Sequence, residues 1–203
     1  MRIDLDAWLR RRAHTLKGLR EHLAAGRVDE DIIGLLEAIN SLPYAFSTSS
    51  CSGRIQLYEA NEPGEKFELR TVSKWHTPIS VDQLMTVMGS FRNLWLAVLP
   101  PILHICVCNL AAAEHLLKTL RDSGFKRAGI ISISHDGITI ETMGTERIEM
   151  PLRLDGKDII RREAIPLIVE RANSLLIRSK VRLSKLEEVL KDEVAGGMDN
   201  LCR

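Results

Sequence analysis

A long apolar stretch constrains the fold of this chain more than any other feature. It reads NLWLAVLPPILHICVCN over residues 93–109 and carries Pro100 and Pro101 in its middle. A membrane-spanning helix needs about 20 consecutive apolar residues, which no part of the chain approaches. Proline cannot donate a ladder hydrogen bond, so a central strand does not tolerate this pair. The stretch therefore predicts two β-strands that meet at a kink.

The remaining patterns mix helices and strands without a regular alternation. YAFSTSS and RIQLYEA read as extended segments, and RAGIISIS–HDG–ITIETMG predicts a hairpin. Apolar periodicity and capping residues predict helices near residues 4–25, 29–42, 80–89, 110–124 and 160–192. Neither G-x-G-x-x-G nor a Walker lysine pattern occurs. We therefore predict an α+β or irregular mixed α/β fold, a mixed sheet with flanking helices that is not of the Rossmann type.

Length and composition favour one domain. The chain has 203 residues, of which 45% are hydrophobic and 27% are charged, as in a globular domain. We predict this domain over residues 1–192, with an N-terminal helical segment over about 1–42 and C-terminal helices over about 160–192. Residues 193–203 are predicted to form a disordered tail. The net charge of +1 gives no overall basic excess, and the N-terminus lacks the apolar core of a secretion signal, which predicts a cytoplasmic protein.

The cysteines allow two readings. Their spacing is not that of a disulfide scaffold, so we interpret all four as reduced thiols. A strand would place His104, Cys106 and Cys108 on one face, but its ends would lie about 13 Å apart, too far for one zinc ion. Small buried cysteines in a core strand explain the pattern equally. Cys51 near Arg54 could act as a nucleophile with a histidine base. A thiol- or metal-dependent enzyme that uses Cys51 or His104 and Cys106 therefore stays open.

Residues 47–54 form a polar cluster that a hydrophobic core does not require. They read Ser-Thr-Ser-Ser-Cys-Ser-Gly-Arg. Hydroxyl groups donate and accept hydrogen bonds, the backbone at Gly53 permits close approach of a ligand, and Arg54 can hold an anion with two hydrogen bonds. The cluster suits a carboxylate, a ribose or a phosphate, although a serine-rich turn that satisfies its own backbone would look the same.

The segment SKWHTP places Trp75 beside His76, directly before a proline turn. The indole can stack on a nucleobase, and the imidazole can transfer a proton near neutral pH. The alternative is a core tryptophan beside an exposed histidine. Basic side chains recur over residues 10–12 and along the last helical region, but acidic residues interleave with the latter, which is typical of a solvated helix face.

Four segments, in this order, resemble a known family: VDEDIIGLLEAINSLPYAFSTSSCSGRI, KWH, PILHICVCNLAAAEHLLKTLRDSGFKRAGI and TERIEMPL. They are similar to the wybutosine-synthesis methyltransferases that act on transfer RNA, above all to the archaeal stand-alone form. The resemblance runs from about Val28 to beyond Asn173. It implies S-adenosylmethionine as methyl donor. The implied substrate is the tricyclic wyosine precursor at position 37 of phenylalanine tRNA, methylated on ring nitrogen N4.

The resemblance also implies roles for individual residues. The general base would be His76 or His104, and Trp75 and Arg54 would contact the substrate. The positions implied for cofactor binding are Ser47, Ser49, Ser50, Cys51, Gly53 and Arg54. The partners would be the anticodon loop of phenylalanine tRNA and S-adenosylmethionine. The adjacent Trp75 and His76 depart from the eukaryotic members, in which a serine–histidine pair follows the tryptophan further on. An RNA-binding module without catalysis stays open as an alternative.

Overall fold

The computed structural model describes residues 3–63, 69–197 and 201–202. Within these residues the helices are α1 (Leu5–Ala24), α2 (Ile33–Ser41), α3 (Val81–Met88), α4 (Leu110–Asp122) and α5 (Ile165–Ala195), with short 3-10 turns at Glu30–Ile32 and Arg162–Ala164. The strands are β1 (Ala45–Cys51), β2 (Arg54–Glu59), β3 (Arg70–Trp75), β4 (Leu94–Leu99), β5 (Ile102–Val107), β6 (Arg127–Ser134), β7 (Gly137–Met143), β8 (Ile148–Leu154) and β9 (Lys157–Asp158). None of the described helices has the length and apolarity that a membrane crossing requires.

The boundaries of these elements follow local sequence signals. Asp4 and Asn109 each accept a hydrogen bond from a backbone N–H at the start of α1 and α4. Ser80 and Gln83 form the predicted capping box at the start of α3. Such caps each contribute about 1 kcal/mol because they satisfy N–H groups that the helix itself leaves unpaired. The predicted proline kink separates β4 from β5.

The strands form two sheets, and every pairing among the described residues is antiparallel. The first sheet has the order β1-β5-β7-β6, and the second has the order β3-β2-β4-β8-β9. A Rossmann fold is built instead on a mostly parallel sheet. The prediction of an α+β fold with flanking helices, distinct from the Rossmann type, is therefore confirmed, with two antiparallel sheets among the described residues in place of one mixed sheet.

The chain divides into two compact units, whereas length and composition favoured one domain. The first unit comprises residues 1–52, 101–145 and 180–203 and contains the first sheet, and the second comprises residues 53–100 and 146–179 and contains the second sheet. The boundary falls inside the polar cluster, so its serines belong to the first unit and its glycine and arginine to the second.

The core of the first unit lies between the first sheet and side chains from α1, α2, α4 and the end of α5. Trp8, Tyr44, Phe46 and Phe125 are its largest fully buried side chains. Trp8 of α1 packs against Phe46 of β1 with ring centroids 5.5 Å apart. Burial of each such side chain contributes about 1.5–3 kcal/mol, so the start of α1 is held firmly on one face of the sheet.

The second unit packs α3 and the first part of α5 against the second sheet. Ile55, Leu84 and Ala172 are fully buried there. Asn173 of α5 clamps the backbone of Ile79: its Oδ1 accepts from the Ile79 N–H at 2.8 Å, and its Nδ2 donates to the Ile79 carbonyl at 2.8 Å. The segment that follows the Trp-His pair is thereby fixed to the helix.

The turn between β6 and β7 needs a glycine. Gly137 has a φ of +141°, which side chains rarely allow. A Cβ at this position would lie 2.5 Å from Sγ of Cys106 and 2.9 Å from Cδ1 of Trp8. Both neighbours are fully buried, so the hairpin, β5 and α1 meet with no room for one more carbon atom.

An ion pair holds the same turn to α1. Asp136 accepts a hydrogen bond from the Ser134 hydroxyl and lies 3.2 Å from Nη1 of Arg11. The Ser134 hydrogen bond and the Arg11 guanidinium lower the pKa of the Asp136 carboxyl, against the opposing effect of burial. The carboxylate is therefore stabilised in its charged form.

The segment predicted to be a disordered tail is helical as far as Ala195, and Leu201 and Cys202 pack against the core of the first unit. Cys202 forms a disulfide with Cys108, and Nδ2 of Asn109 donates to the Leu201 carbonyl at 2.5 Å. The interpretation of all four cysteines as reduced thiols is therefore wrong for this pair. No local sequence pattern indicates this disulfide, because its partners are 94 residues apart. Residues 198–200 and 203 of the predicted tail lie outside the described residues.

Candidate functional site

A cavity of about 370 Å³ lies beside β1, an edge strand of the first sheet. Thr15, Gly18 and His22 of α1 line it, as does Leu36 of α2, and residues 47–50 of β1 complete the lining. Small-molecule sites typically have volumes of about 300–1,000 Å³ and few polar groups on an apolar lining. The cavity therefore has the size and the mixed lining of a small-ligand site.

A β-bulge at Thr48 directs the serines on either side of it to opposite faces of the sheet. Ser47 pairs with Ile105 and Ser49 pairs with His104, so the register shifts between them. Ile105 and His104 are consecutive residues of β5 and point to opposite faces. Ser47 therefore shares the core face with Ile105, and Ser49 shares the other face with His104.

The hydroxyl of Ser47 is engaged within the protein. Ser47 is only 5% exposed. Its N–H donates to Oδ1 of Asn40 at 2.9 Å, and Nδ2 of Asn40 donates to its Oγ at 3.1 Å. These bonds fasten β1 to α2 and thus set the wall of the cavity.

Ser49 begins a hydrogen-bonded chain that crosses three strands. Its Oγ lies 2.6 Å from Nδ1 of His104, and Nε2 of His104 lies 2.7 Å from Oε2 of Glu141. A carboxylate only accepts hydrogen bonds, so Nε2 donates to Glu141, and Nδ1 of the neutral ring accepts from the Ser49 hydroxyl. The arrangement can move a proton from Ser49 to the imidazole while the carboxylate stabilises the positive charge that develops.

This chain is one of two rows of side chains on the same face of the first sheet, which we call the open face. The strand registers align Ser49, His104, Glu141 and Gly129 in one row and Cys51, Ile102, Met143 and Arg127 in the other. All of these positions except Ser49 and Arg127 are partly buried, and those two are exposed. Trp8 of α1 lies against the neighbouring part of the sheet, at Cys106. Beside the part that Trp8 covers, the open face therefore carries the hydrogen-bonded chain Ser49–His104–Glu141 and, next to it, the row from Cys51 to Arg127.

A second polar network fixes the end of the serine run. The N–H and hydroxyl of Ser52 both donate to Oδ2 of Asp29, at 2.9 and 3.1 Å. Nζ of Lys180 donates to the Ser52 carbonyl at 3.0 Å and to its hydroxyl at 2.8 Å, and it forms an ion pair with Asp31. Ser52 is fully buried. These contacts anchor the residue that directly follows β1, the strand whose serines line the cavity.

The second unit holds the remaining predicted site residues. Nδ1 of His76 lies 3.1 Å from the Gly53 carbonyl. Because a carbonyl oxygen only accepts, Nδ1 carries a proton and the basic atom of the ring is Nε2. Nε of Arg54 donates to Oε1 of Gln56 at 2.7 Å. Trp75 is partly buried against the core of its unit. The roles predicted for these residues stay predictions.

The cysteines differ in exposure and bonding. Burial raises the pKa of the Cys106 thiol to about 11, which leaves it protonated at neutral pH, and Cys108 is disulfide-bonded. Cys51 is partly buried on the open face, opposite Ile102. Within residues 3–63, 69–197 and 201–202, no three His, Cys, Asp or Glu side chains are arranged to hold a metal ion. Cys106 therefore gives no support to a thiol mechanism.

Sequence reasoning missed several residues that shape this site. Glu141 is the charged partner of the predicted His104, Asp29 and Lys180 are the charged partners of Ser52, and Gly18 lines the cavity. The sequence does contain an indication of Glu141, since it is an acidic residue within the alternating strand ITIETM. The other three lie in segments whose composition is ordinary for a helix or a loop.

Comparison with known proteins identifies the family. The family described as "Methyltransferase TYW3" matches residues 10–192. The chain therefore belongs to the TYW3 methyltransferase family, which confirms the resemblance found in its motifs.

Individual relatives agree with this assignment. A protein of Thermococcus sibiricus named tRNA(Phe) 7-((3-amino-3-carboxypropyl)-4-demethylwyosine(37)-N(4))-methyltransferase is 37% identical over 178 residues, 87% of this chain and 90% of the relative. A Thermococcus kodakarensis relative with that name, numbered 1, is 38% identical over 178 residues, with 87% and 90% coverage. The structure of the PH1069 protein from Pyrococcus horikoshii superposes with a TM-score of 0.88 at 36% identity, covering 92% of this chain and 97% of that one.

Proposed function

We propose that this protein is an S-adenosylmethionine-dependent methyltransferase that methylates N4 of the wyosine precursor at position 37 of phenylalanine tRNA. The names of its relatives support the substrate. The observation that carries the mechanism is the chain Ser49–His104–Glu141, which starts at a residue lining the cavity and continues onto the open face. We also propose a cytoplasmic location, which the tRNA-modifying role named for its relatives supports.

The cavity fits the methyl donor by its chemistry. S-adenosylmethionine, when bound, supplies an electrophilic methyl group. Its ribose and amino-acid groups need donors and acceptors, which Thr48 and Ser50 can provide, and its adenine needs an apolar surface, which Leu19, Val28 and Leu36 can provide. β1 pairs with β5 along one edge and lines the cavity, so its backbone can also bind a ligand.

Ser49 and His104 have complementary tasks in this proposal. The nitrogen that receives the methyl group must lose a proton to give a neutral product. Oγ of Ser49 accepts that proton while its own hydroxyl proton passes to Nδ1 of His104, and the Glu141 carboxylate stabilises the resulting imidazolium. The protein contributes further by holding donor and acceptor in line, because alignment supplies much of the rate gain in a direct transfer.

The proton path is tested with single-turnover methyl transfer to tRNA that carries the precursor. His104→Ala should reduce the rate by about 100-fold or more, as loss of a general base does, and added imidazole should restore part of it. Glu141→Gln should reduce the rate by a smaller factor. His115→Ala is the matched control, since His115 lies 3.2 Å from Glu193 in a second His–Glu pair of the same unit. Equal rates for His104→Ala and His115→Ala would refute the assignment.

The donor site is tested by filling the cavity. A Cβ at Gly18 would meet nothing within 4 Å, so larger side chains can enter the space. Gly18→Leu should weaken S-adenosylmethionine binding by at least about tenfold, measured by calorimetry, and Gly18→Ala by less. Both changes favour the helix by about 0.3–1 kcal/mol, so a loss of binding would not reflect unfolding. Unchanged affinity in Gly18→Leu would place the donor elsewhere.

A further inference from the structure

We propose that the groove at the β6 side of the open face binds the single-stranded RNA next to the nucleotide that is methylated. The inference rests on the proposed function and extends it to the RNA-binding surface. The groove has a volume of about 330 Å³, and Lys126, Arg127, Ile131, Glu141 and Met143 are among its lining residues.

The groove is continuous with the row that contains Ser49, His104 and Glu141. Glu141 lines it and is also the last member of the chain that begins at Ser49. Neighbouring strands lie about 4.8 Å apart, so the distance from β5, which carries His104, to β6 is about 10 Å. A base held over His104 would therefore leave its neighbouring phosphate within reach of β6.

The charges of the groove match a phosphate backbone. Among the described residues, its charged side chains are Lys126, Arg127 and Glu141. The first two are exposed cations, whereas the carboxylate of Glu141 is bound to His104. Arg121, an exposed residue at the end of α4, donates to the backbone of β6 and adds a third positive charge at this corner. Cations fix an RNA strand through its phosphates and make binding dependent on salt.

The apolar residues of the same surface suit unstacked bases. Met143 and Ile102 are neighbours in one row of the open face, and Ile131 of β6 is 54% exposed. Bases of a single-stranded loop are splayed out when a protein binds them, and aromatic or apolar side chains cover the base faces that unstacking exposes. Gly129 has no side chain and lies opposite Glu141, and a Cβ there would meet nothing within 4 Å. The surface is therefore open at the point where the base must enter.

The first test measures how the full-length protein binds a transcript of phenylalanine tRNA as salt is varied. Lys126→Ala/Arg127→Ala should flatten the slope of log K against log salt by about 1.4 and weaken binding about 25-fold at 0.1 M salt, if each cation holds one phosphate. Lys118→Ala/Lys191→Ala is the matched control, because it removes two exposed cations that pair with carboxylates four residues away. An equal effect of both double variants, or no RNA binding by the wild type, would overturn the proposal.

The second test blocks the surface without removing a charge. Gly129→Leu should reduce RNA affinity at least tenfold while it leaves S-adenosylmethionine binding and Tm unchanged. Gly89→Leu, at the end of α3, is the control, since its Cβ also meets nothing within 4 Å. RNA affinity retained in Gly129→Leu would contradict the inference, as would a change of sedimentation showing that β6 pairs with a second copy. A wild type that binds tRNA in this way yet transfers no methyl group would instead refute the proposed function.

Discussion

Gly137 offers a quantitative test of how α1, β5 and the β6–β7 hairpin fit together. In Gly137→Ala the added carbon would lie 2.5 Å from Sγ of Cys106 and 2.9 Å from Cδ1 of Trp8. These atoms belong to fully buried side chains that cannot turn away into solvent. Overpacking of a core costs about 1–3 kcal/mol, and a non-glycine residue at an unfavourable φ costs about 1–3 kcal/mol more. We expect a loss of at least about 2 kcal/mol.

For a chain of this size, about 2 kcal/mol corresponds to a decrease in Tm of roughly 4–8 °C. Thermal unfolding followed by circular dichroism would measure it, with Gly129→Ala as a control whose Cβ meets nothing within 4 Å. The control should stay within about 0.5 kcal/mol of the wild type. Adding Cys106→Ala to the wild type and to Gly137→Ala isolates the clash with the sulfur atom. The effects of the two substitutions on the free energy of unfolding should depart from additivity by at least about 0.5 kcal/mol. A Gly137→Ala protein that melts with the wild type, or an absence of coupling, would refute the packing argument.

Three further perturbations probe the supports of the site. Cys202→Ser opens a disulfide between partners 94 residues apart and should lower the free energy of unfolding by about 2–5 kcal/mol, measured by denaturant titration; a reducing agent should have the same effect on the wild type and none on the variant. Asp136→Asn should remove less than about 1 kcal/mol at neutral pH. Because its folded pKa is lowered, the contribution is complete above the unfolded pKa of about 3.9 and is lost as the pH falls through the folded value, so the two proteins should converge in acid. Lys180→Met removes the bonds to the buried end of the serine run and should cost about 1.5–3 kcal/mol, whereas Lys185→Met at an exposed position should change stability by less than about 0.5 kcal/mol.

Local sequence signals were sufficient to predict much of the fold. The caps at Asp4, Ser80 and Asn109 depend on residues two or three positions away, and the proline kink is a property of the backbone itself. These interactions are complete within a short segment, so the sequence displays them directly. The family motif likewise pointed to Ser49 and His104, which the structure brings within 2.6 Å.

The partners of those residues depend on distant pairings. Glu141 is 37 residues from His104, and Cys202 is 94 residues from Cys108, and no local pattern links either pair. The bulge at Thr48 is even harder to predict from the sequence, because a bulge depends on the register between two strands and not on the composition of either. Simple alternation would have put both flanking serines on one face of the sheet.

That bulge has a consequence for how relatives of this protein change over time. Ser47 and Ser49 look like equivalent members of one motif, yet the first bonds to Asn40 in the core and the second to His104 on the open face. A substitution at Ser47 can be compensated by the helix that holds it, whereas one at Ser49 can be compensated only within the hydrogen-bonded chain of His104 and Glu141. Across an alignment, the two serines should therefore covary with different partners, and a shared motif would split into two independently evolving halves.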